Sequence, residues 1–270
     1  MHTPPGRDRT TAVGADGIRL GLRTIGDGAA LLLVHGGMGT ADRWDPLLPL
    51  LTEHVEITAM DRRGRGSSGD GEQYSLAAEQ RDVLAVAEHL AHRQGSPIDV
   101  LAHSFGALCA LGAAAAGAPM RRLVLYEPPG PPTVTADWLE RMRALIAQDR
   151  PGPAMVSFLV DVIGYSPQEV QALRERAGGG DPLPIVRRTM VREAEALRGA
   201  DLTGLAVDVR QPVMLLLGTE SRPWASAVTR QLAAALPNAE IVDLPGQGHE
   251  AIDRNPQLVA ERVLAHLGAT

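Results

Sequence analysis

The sequence is short of several things, and each shortage removes a class of function. It has one cysteine, Cys109, which excludes an intrachain disulfide; its place inside "SFGALCALGAAAA" reads as a small core residue rather than a nucleophile. There is no excess of positive charge. The formal balance is -6, and the one basic cluster, "DRRGRGSSG" (61–69), is too isolated and glycine-broken to track phosphates, so nucleic-acid binding is excluded. No window approaches the ~18 consecutive apolar residues of a membrane span, and the start "MHTPPGRDRTTAVGADG" lacks the apolar stretch of a signal peptide; a cytoplasmic, non-membrane protein is expected. H-E-x-x-H, paired cysteine clusters, EF-hand spacing, a Walker lysine and G-x-G-x-x-G are all missing, so no metal, nucleotide or other cofactor is implied. Nothing in the sequence bears on oligomeric state.

What is present is a set of compact aliphatic runs in a chain of 270 residues, 44% apolar, long enough for one sizeable core. A weakly patterned pair of segments around "ADG" (11–25) predicts a β-hairpin. "ALLLVH" (30–35), "VEITAM" (55–60), "IDVLAH" (98–103), "RLVLYE" (122–127), "VMLLLG" (213–218) and "EIVDL" (240–244) predict strands. Most show no polar alternation, which is what a strand covered by helices on both faces requires. Helical periodicity falls between them, at 44–53, 75–93, 105–117, 224–236 and 256–268, so the expected architecture is a mostly parallel sheet covered by helices. The alternation breaks after residue 127, where a mostly helical region lasts to 208. An ordinary crossover is far shorter, so 128–208 is expected to be a helical cap inserted after strand six, with amphipathic segments at 136–148, 166–177 and 183–198. The core would then comprise 1–127 and 209–270. The tripled glycine in "AGGGD" (177–181) marks a loop inside the insertion.

Strand 98–103 ends in "Ala102-His103-Ser104-Phe105-Gly106". A serine directly beyond a buried strand and before a small-residue helix fits a tight strand-to-helix turn that lifts its hydroxyl above the sheet. The plainer alternative is that Ser104 simply caps the helix. A hydroxyl is a weak nucleophile until an imidazole takes its proton. Of the eight histidines, His249 in "PGQGHE" lies on a loop between the last strand and the last helix. His89, His92 and His266 fall in helical patterns, His2 and His54 are peripheral, and His103 is expected to pack beneath the turn. "HGGMG" (35–39) supplies a second glycine-rich turn after a strand.

Taken in order, "HGG", "DRRGRGSSG", "AHSFG" and "GQGHE" resemble the capped serine subgroup of the α/β-hydrolase superfamily, over residues 11 to 268. The resemblance implies the α/β-hydrolase fold, a Ser104 nucleophile with His249 as base, and oxyanion donors from the backbone N–H of Gly37 or Met38 and of Phe105. Ala102 replaces the usual first glycine of G-x-S-x-G, and serine at 104 separates the chain from members with a carboxylate nucleophile. Asp61, Arg62 and Arg65 look structural. The implied activity is hydrolysis of small-molecule carboxylic esters or lactones through an acyl-enzyme. Amide or carbon–carbon cleavage and a non-catalytic binding protein are the alternatives.

One expected residue is missing. The family's acid usually ends a G-x-x-D turn after strand seven, and here that turn reads "Gly218-Thr219-Glu220-Ser221". Glu127, closing "LVLYE" before stiff prolines, is preferred as the acid: the resemblance implies it, since some members of the fold carry the triad acid at the end of strand six, and a carboxylate at the end of a buried strand needs a partner. An ion pair supporting the cap is its plainer alternative; Glu220 is the alternative acid, and Asp208, Asp243 and Glu250 are further candidates. From the cap, Trp138, Met142, Met155, Phe158, Leu159, Val162, Ile163, Tyr165 and Met190 could line a substrate pocket, with Trp138 and Phe158 foremost, or could equally be the cap's own core.

Overall fold

The computed structural model describes residues 8–14, 16–176 and 183–269. Eight strands, β1 (Asp8–Val13), β2 (Arg19–Ile25), β3 (Ala30–Val34), β4 (Glu56–Met60), β5 (Ile98–His103), β6 (Met120–Tyr126), β7 (Val213–Gly218) and β8 (Ala239–Leu244), form one sheet in the order β1-β2-β4-β3-β5-β6-β7-β8. The β1–β2 hairpin and the β2–β4 pair are antiparallel, and every other pair is parallel. The unbroken apolar runs explain the burial. Leu31 and Leu33 of β3 face one core with Val124, Tyr126, Met214 and Leu216, while Leu32 and Val34 face the other with Val100, Leu123 and Leu125. Both faces of each inner strand thus leave water, at roughly 1.5–3 kcal/mol of burial per large aliphatic side chain.

Helices α1 (Leu48–Leu51), α2 (Leu76–Gln94) and α3 (Phe105–Ala115) alternate with the first strands. Ser75 caps α2 by accepting from the Ala78 N–H, and Gly95 ends it in the left-handed region. The helix expected at 44–53 is shorter, a 3₁₀ turn at Ala41–Trp44 followed by α1, because Pro46 and Pro49 cannot donate to a helical ladder. Glycine is needed at 106, where a Cβ would stand 2.4 Å from both the Val34 and His35 carbonyl oxygens, so α3 lies almost against the end of β3.

Between β6 and β7 lie α4 (Ala136–Ala147), α5 (Pro151–Ser157), α6 (Pro167–Arg176), α7 (Leu183–Arg198) and α8 (Leu202–Ala206); after β7 come α9 (Pro223–Ala235), α10 (Ala251–Arg254) and α11 (Pro256–Leu267). The segments expected at 136–148, 166–177 and 183–198 correspond to α4, α6 and α7, whereas α5 and α8 carry no clear apolar period. Helix α5 runs on into a π-helical turn at Phe158–Ile163. The glycine run 177–181 lies outside the described residues. Among the described residues no helix is long and apolar enough to cross a membrane.

Candidate active site

Two strand ends and three turns meet above the carboxyl edge of the sheet. At the end of β5, Ser104 sits at φ 53° and ψ -128°, a conformation disfavoured for any residue with a Cβ, and its side chain makes no capping hydrogen bond to α3. The plain helix-cap reading of Ser104 therefore does not hold. The "HGG" turn after β3 presses against it, since a Cβ on Gly36 would lie 2.8 Å from the Ser104 Cβ. Gly37, Met38 and Phe105 line one pocket with Ser104.

The end of β6 holds the other half. The Tyr126 carbonyl accepts the Ser104 N–H at 2.9 Å, while its phenol donates to the Gly248 carbonyl and accepts the Ala251 N–H at 3.1 Å, gripping the loop on both sides of His249. The next residue, Glu127, is fully buried at φ 44°. Its Oε2 lies 2.7 Å from His249 Nδ1, and its Oε1 accepts from the Gly218 N–H at 2.8 Å and from the Ser221 hydroxyl. A buried carboxylate with two donors on one oxygen and an imidazole nitrogen against the other is well satisfied. The position where the usual acid is missing therefore holds a residue that supports the carboxylate coming from β6. Glu220, Asp208 and Asp243 are exposed, and Glu250 is engaged by Arg43 at 2.7 Å.

His103 packs beside the turn, as expected. Its ring lies 4.5 Å from that of His249 and 4.9 Å from Tyr126, with Nε2 3.0 Å from the His249 carbonyl oxygen. Burial, reinforced by neighbouring positive charge, pushes its pKa well below the usual histidine value, so it stays neutral. Cys109 is buried, and burial drives its thiol pKa up, as suits an inert core residue. His89, His92 and His54 are exposed.

Asp61, Arg62 and Arg65 hold turns together. Asp61 accepts from the backbone of Ala41 and Ser67 at 2.8 and 2.9 Å. Arg62 grips Glu79 of α2 through both carboxylate oxygens, at 2.7 and 2.8 Å, and donates to the carbonyls of His35 and Gly36 at 3.3 and 3.0 Å. Burial opposes its charge, but Glu79 and Glu193 outweigh that and raise its pKa well above the ordinary guanidinium value. Glu79 responds in kind: burial alone would raise its pKa, but Arg62 and Arg65 bring it down to about 2.

The pocket beside Ser104 is a small, mostly apolar cleft, with a cavity volume of about 50 Å³, that opens to solvent. From the expected set it takes Trp138, Phe158, Val162, Ile163 and Met190; Met142 is instead fully buried packing, Met155 and Leu159 are not on the wall, and Tyr165 lines a separate polar cleft. Sequence reasoning also does not single out Pro129, Thr133, Val134, Glu193, Ala194, Leu197 and Trp224 of the wall, and two of these bear on the chemistry. Trp224 packs edge-on against His249 at 5.4 Å and donates to the Val162 carbonyl at 2.9 Å, joining α9 to the π-helical turn. In sequence it is only the second residue of an amphipathic helix, after Pro223. Glu193 lies on the apolar face of α7, where periodicity calls for a hydrophobic side chain, and that mismatch was the available signal.

The comparisons with known proteins bear on the family and the fold. The model of the α/β hydrolase family matches residues 31–262, so the chain belongs to that family. It is 26% identical over 266 residues to the 2-(acetamidomethylene)succinate hydrolase of Mesorhizobium japonicum, covering 93% of this chain and 92% of that protein. Among solved structures, an α/β hydrolase from Sphaerobacter thermophilus superimposes with a TM-score of 0.81 at 29% identity, covering 96% of this chain and all of that one. The enol-lactonase of Burkholderia xenovorans gives a TM-score of 0.75 at 20% identity, with 96% and 100% covered, a likeness of fold. The protein is accordingly a hydrolase of the α/β-hydrolase family, with its fold.

Proposed function

We propose that this hydrolase cleaves carboxylic esters or lactones through an acyl-enzyme, with Ser104 as nucleophile, His249 as base and Glu127 as acid. One observation carries the reading: Glu127, buried and held by the Gly218 and Ser221 donors, takes the Nδ1 side of His249 at 2.7 Å. An ionised carboxylate there accepts an N–H, which leaves Nε2 as the imidazole's lone-pair nitrogen. That nitrogen takes the Ser104 proton as Oγ attacks the carbonyl, then returns it to the departing alcohol oxygen. Water repeats the cycle and frees the acid.

Negative charge on the carbonyl oxygen would be met by the Phe105 N–H, at the first turn of α3, and by an amide of the "HGG" turn. Of the two amides in that turn, Gly37 is taken as the second donor. Arg62 and His35 Nδ1 hold the Gly36 carbonyl at 3.0 and 2.8 Å, and in a trans peptide the N–H of the next residue points the opposite way, away from Arg62. Residues 128–208 form the cap in this reading, and the Trp138–Phe158 pair, 6.4 Å apart, forms the acyl wall.

A fluorophosphonate probe tests the class directly. Wild-type protein is expected to gain one adduct, mapped by mass spectrometry to the peptide carrying Ser104; failure to label sinks the serine mechanism and favours a binding protein. The second reading, amide cleavage, draws on the relative named for 2-(acetamidomethylene)succinate, and a panel of esters, lactones and amides separates it. For the wall, Trp138→Ala or Phe158→Ala is expected to lower kcat/KM roughly ten-fold or more for a bulky acyl ester and much less for an acetate, because only the larger group uses the lining. Equal losses on both substrates would make these residues packing alone.

A further inference from the structure

Among the described residues lining the pocket beside Ser104, Glu193 alone carries a charge. Its side chain is 8% exposed. Oε1 is taken by the Arg62 and Arg65 guanidinium groups, which accounts for the buried charge. Oε2 is different. Among the described residues no donor reaches it, and it lies 3.3 Å from where a Cβ on Gly37 would stand, alongside the "HGG" turn. Arg62 does not need this second oxygen, since Glu79 already binds it through both of its own. Oε2 keeps a little exposure toward the pocket, so a ligand that displaces water from it has to supply a donor in the water's place.

We propose that Glu193 determines specificity by selecting acyl groups that carry a hydrogen-bond donor, a hydroxyl or N–H, one or two atoms from the scissile carbonyl. This rests on the ester- or lactone-cleaving reading above. The position follows from Gly37: an acyl carbonyl oxygen at its N–H leaves only the first atoms of the acyl chain within reach of Oε2. The preference for a neutral donor follows from charge. Arg62 and Arg65 balance Glu79 and Glu193, with Arg65 also 3.8 Å from Glu79, so the pocket offers an acceptor without a net negative field that would favour an ammonium group. Anionic acyl groups are disfavoured by the same oxygen.

The test uses two matched pairs of p-nitrophenyl esters. One pair is 2-hydroxyisobutyrate against pivalate, and the other 3-hydroxy-3-methylbutanoate against 3,3-dimethylbutanoate, each rate normalised to the ester's alkaline hydrolysis. Wild-type kcat/KM is expected to favour the hydroxyl member of at least one pair by roughly ten- to hundred-fold, the effect of one hydrogen bond to a charged acceptor. In Glu193→Gln the two guanidinium groups, which only donate, hold the amide oxygen and turn the –NH₂ into the pocket. The hydroxyl preference should then vanish, while the 2-methoxyisobutyrate ester, an acceptor only, gains relative to pivalate. Glu193→Asp, which keeps the charge but withdraws it by a methylene, should weaken the preference without inverting it, and provides the variant test should the glutamine protein fail to fold. Equal normalised rates within both pairs for wild type, or a hydroxyl preference that survives Glu193→Gln unchanged, overturns the proposal while leaving the esterase reading intact. Failure of wild type to turn over any ester overturns both.

Discussion

Ser104→Ala is expected to remove fluorophosphonate labelling completely and to lower ester turnover by roughly 10³- to 10⁶-fold, the range seen when a serine nucleophile is deleted from a triad. The fold should survive with an unchanged melting temperature. Ser104 contributes no capping hydrogen bond to α3, and alanine meets the same backbone penalty at φ 53° as serine does, so nothing that holds the structure together is lost. The residual rate, if measurable, would report the pocket and the amide donors acting on attacking water. Wild-type turnover by the purified variant would remove Ser104 from the reaction.

Glu127→Gln is expected to cost roughly 10³- to 10⁴-fold in kcat/KM, against little change for Glu220→Gln. The amide keeps the size of the side chain but removes the charge that favours the imidazolium formed during acyl transfer. It also faces a conflict. The Gly218 N–H and the Ser221 hydroxyl both donate to Oε1, so the amide oxygen is drawn there and its –NH₂ is turned toward His249 Nδ1. Two donors then oppose each other unless the ring takes the tautomer protonated at Nε2, which cannot accept the Ser104 proton. Ser221→Ala should have a milder effect of the same sign, since it removes one of the two donors that hold Oε1 and orient the carboxylate. A severe defect confined to Glu220→Gln would put the acid after β7 instead.

How much of this was legible in the sequence depends on where the signal lies. The strands announced themselves because uninterrupted aliphatic runs such as "ALLLV" have few other uses in a chain of this composition, and the β5 turn because histidine, serine and glycine interrupt such a run at the place where a side chain can stand clear of the sheet. Glu127 was reachable from burial reasoning, as a carboxylate ending an apolar strand needs a partner. Ser221 was not, because a hydroxyl at the usual acid position reads as a loss until the partner strand is seen beside it. Trp224 and Glu193 belong to helices whose own periodicity says nothing about which residue of a distant loop will face them. Helix α5 and its π-helical continuation were hidden for a local reason: Pro151, Gly152 and Pro153 look like loop chemistry, although prolines in the first turn cost a helix no internal bonds.

The carboxylate on β6 also bears on how such a chain can change over time. In the proposed triad Glu127 issues from an interior strand, so the loop between β7 and α9 need not present a charged group at a fixed point; it offers only the Gly218 amide and, from Ser221, one hydroxyl. That loop leads directly into Trp224, which touches both His249 and the pocket wall. A segment relieved of carrying the acid can accept substitutions and altered length while the chemistry persists, and those substitutions fall where they reshape the chamber. Sequence patterns that demand an aspartate after the seventh strand would discard this chain as inert, together with any relatives built the same way. A glutamate closing the sixth strand ahead of a proline pair, with serine at the vacated position, is the sequence mark by which they could be recovered.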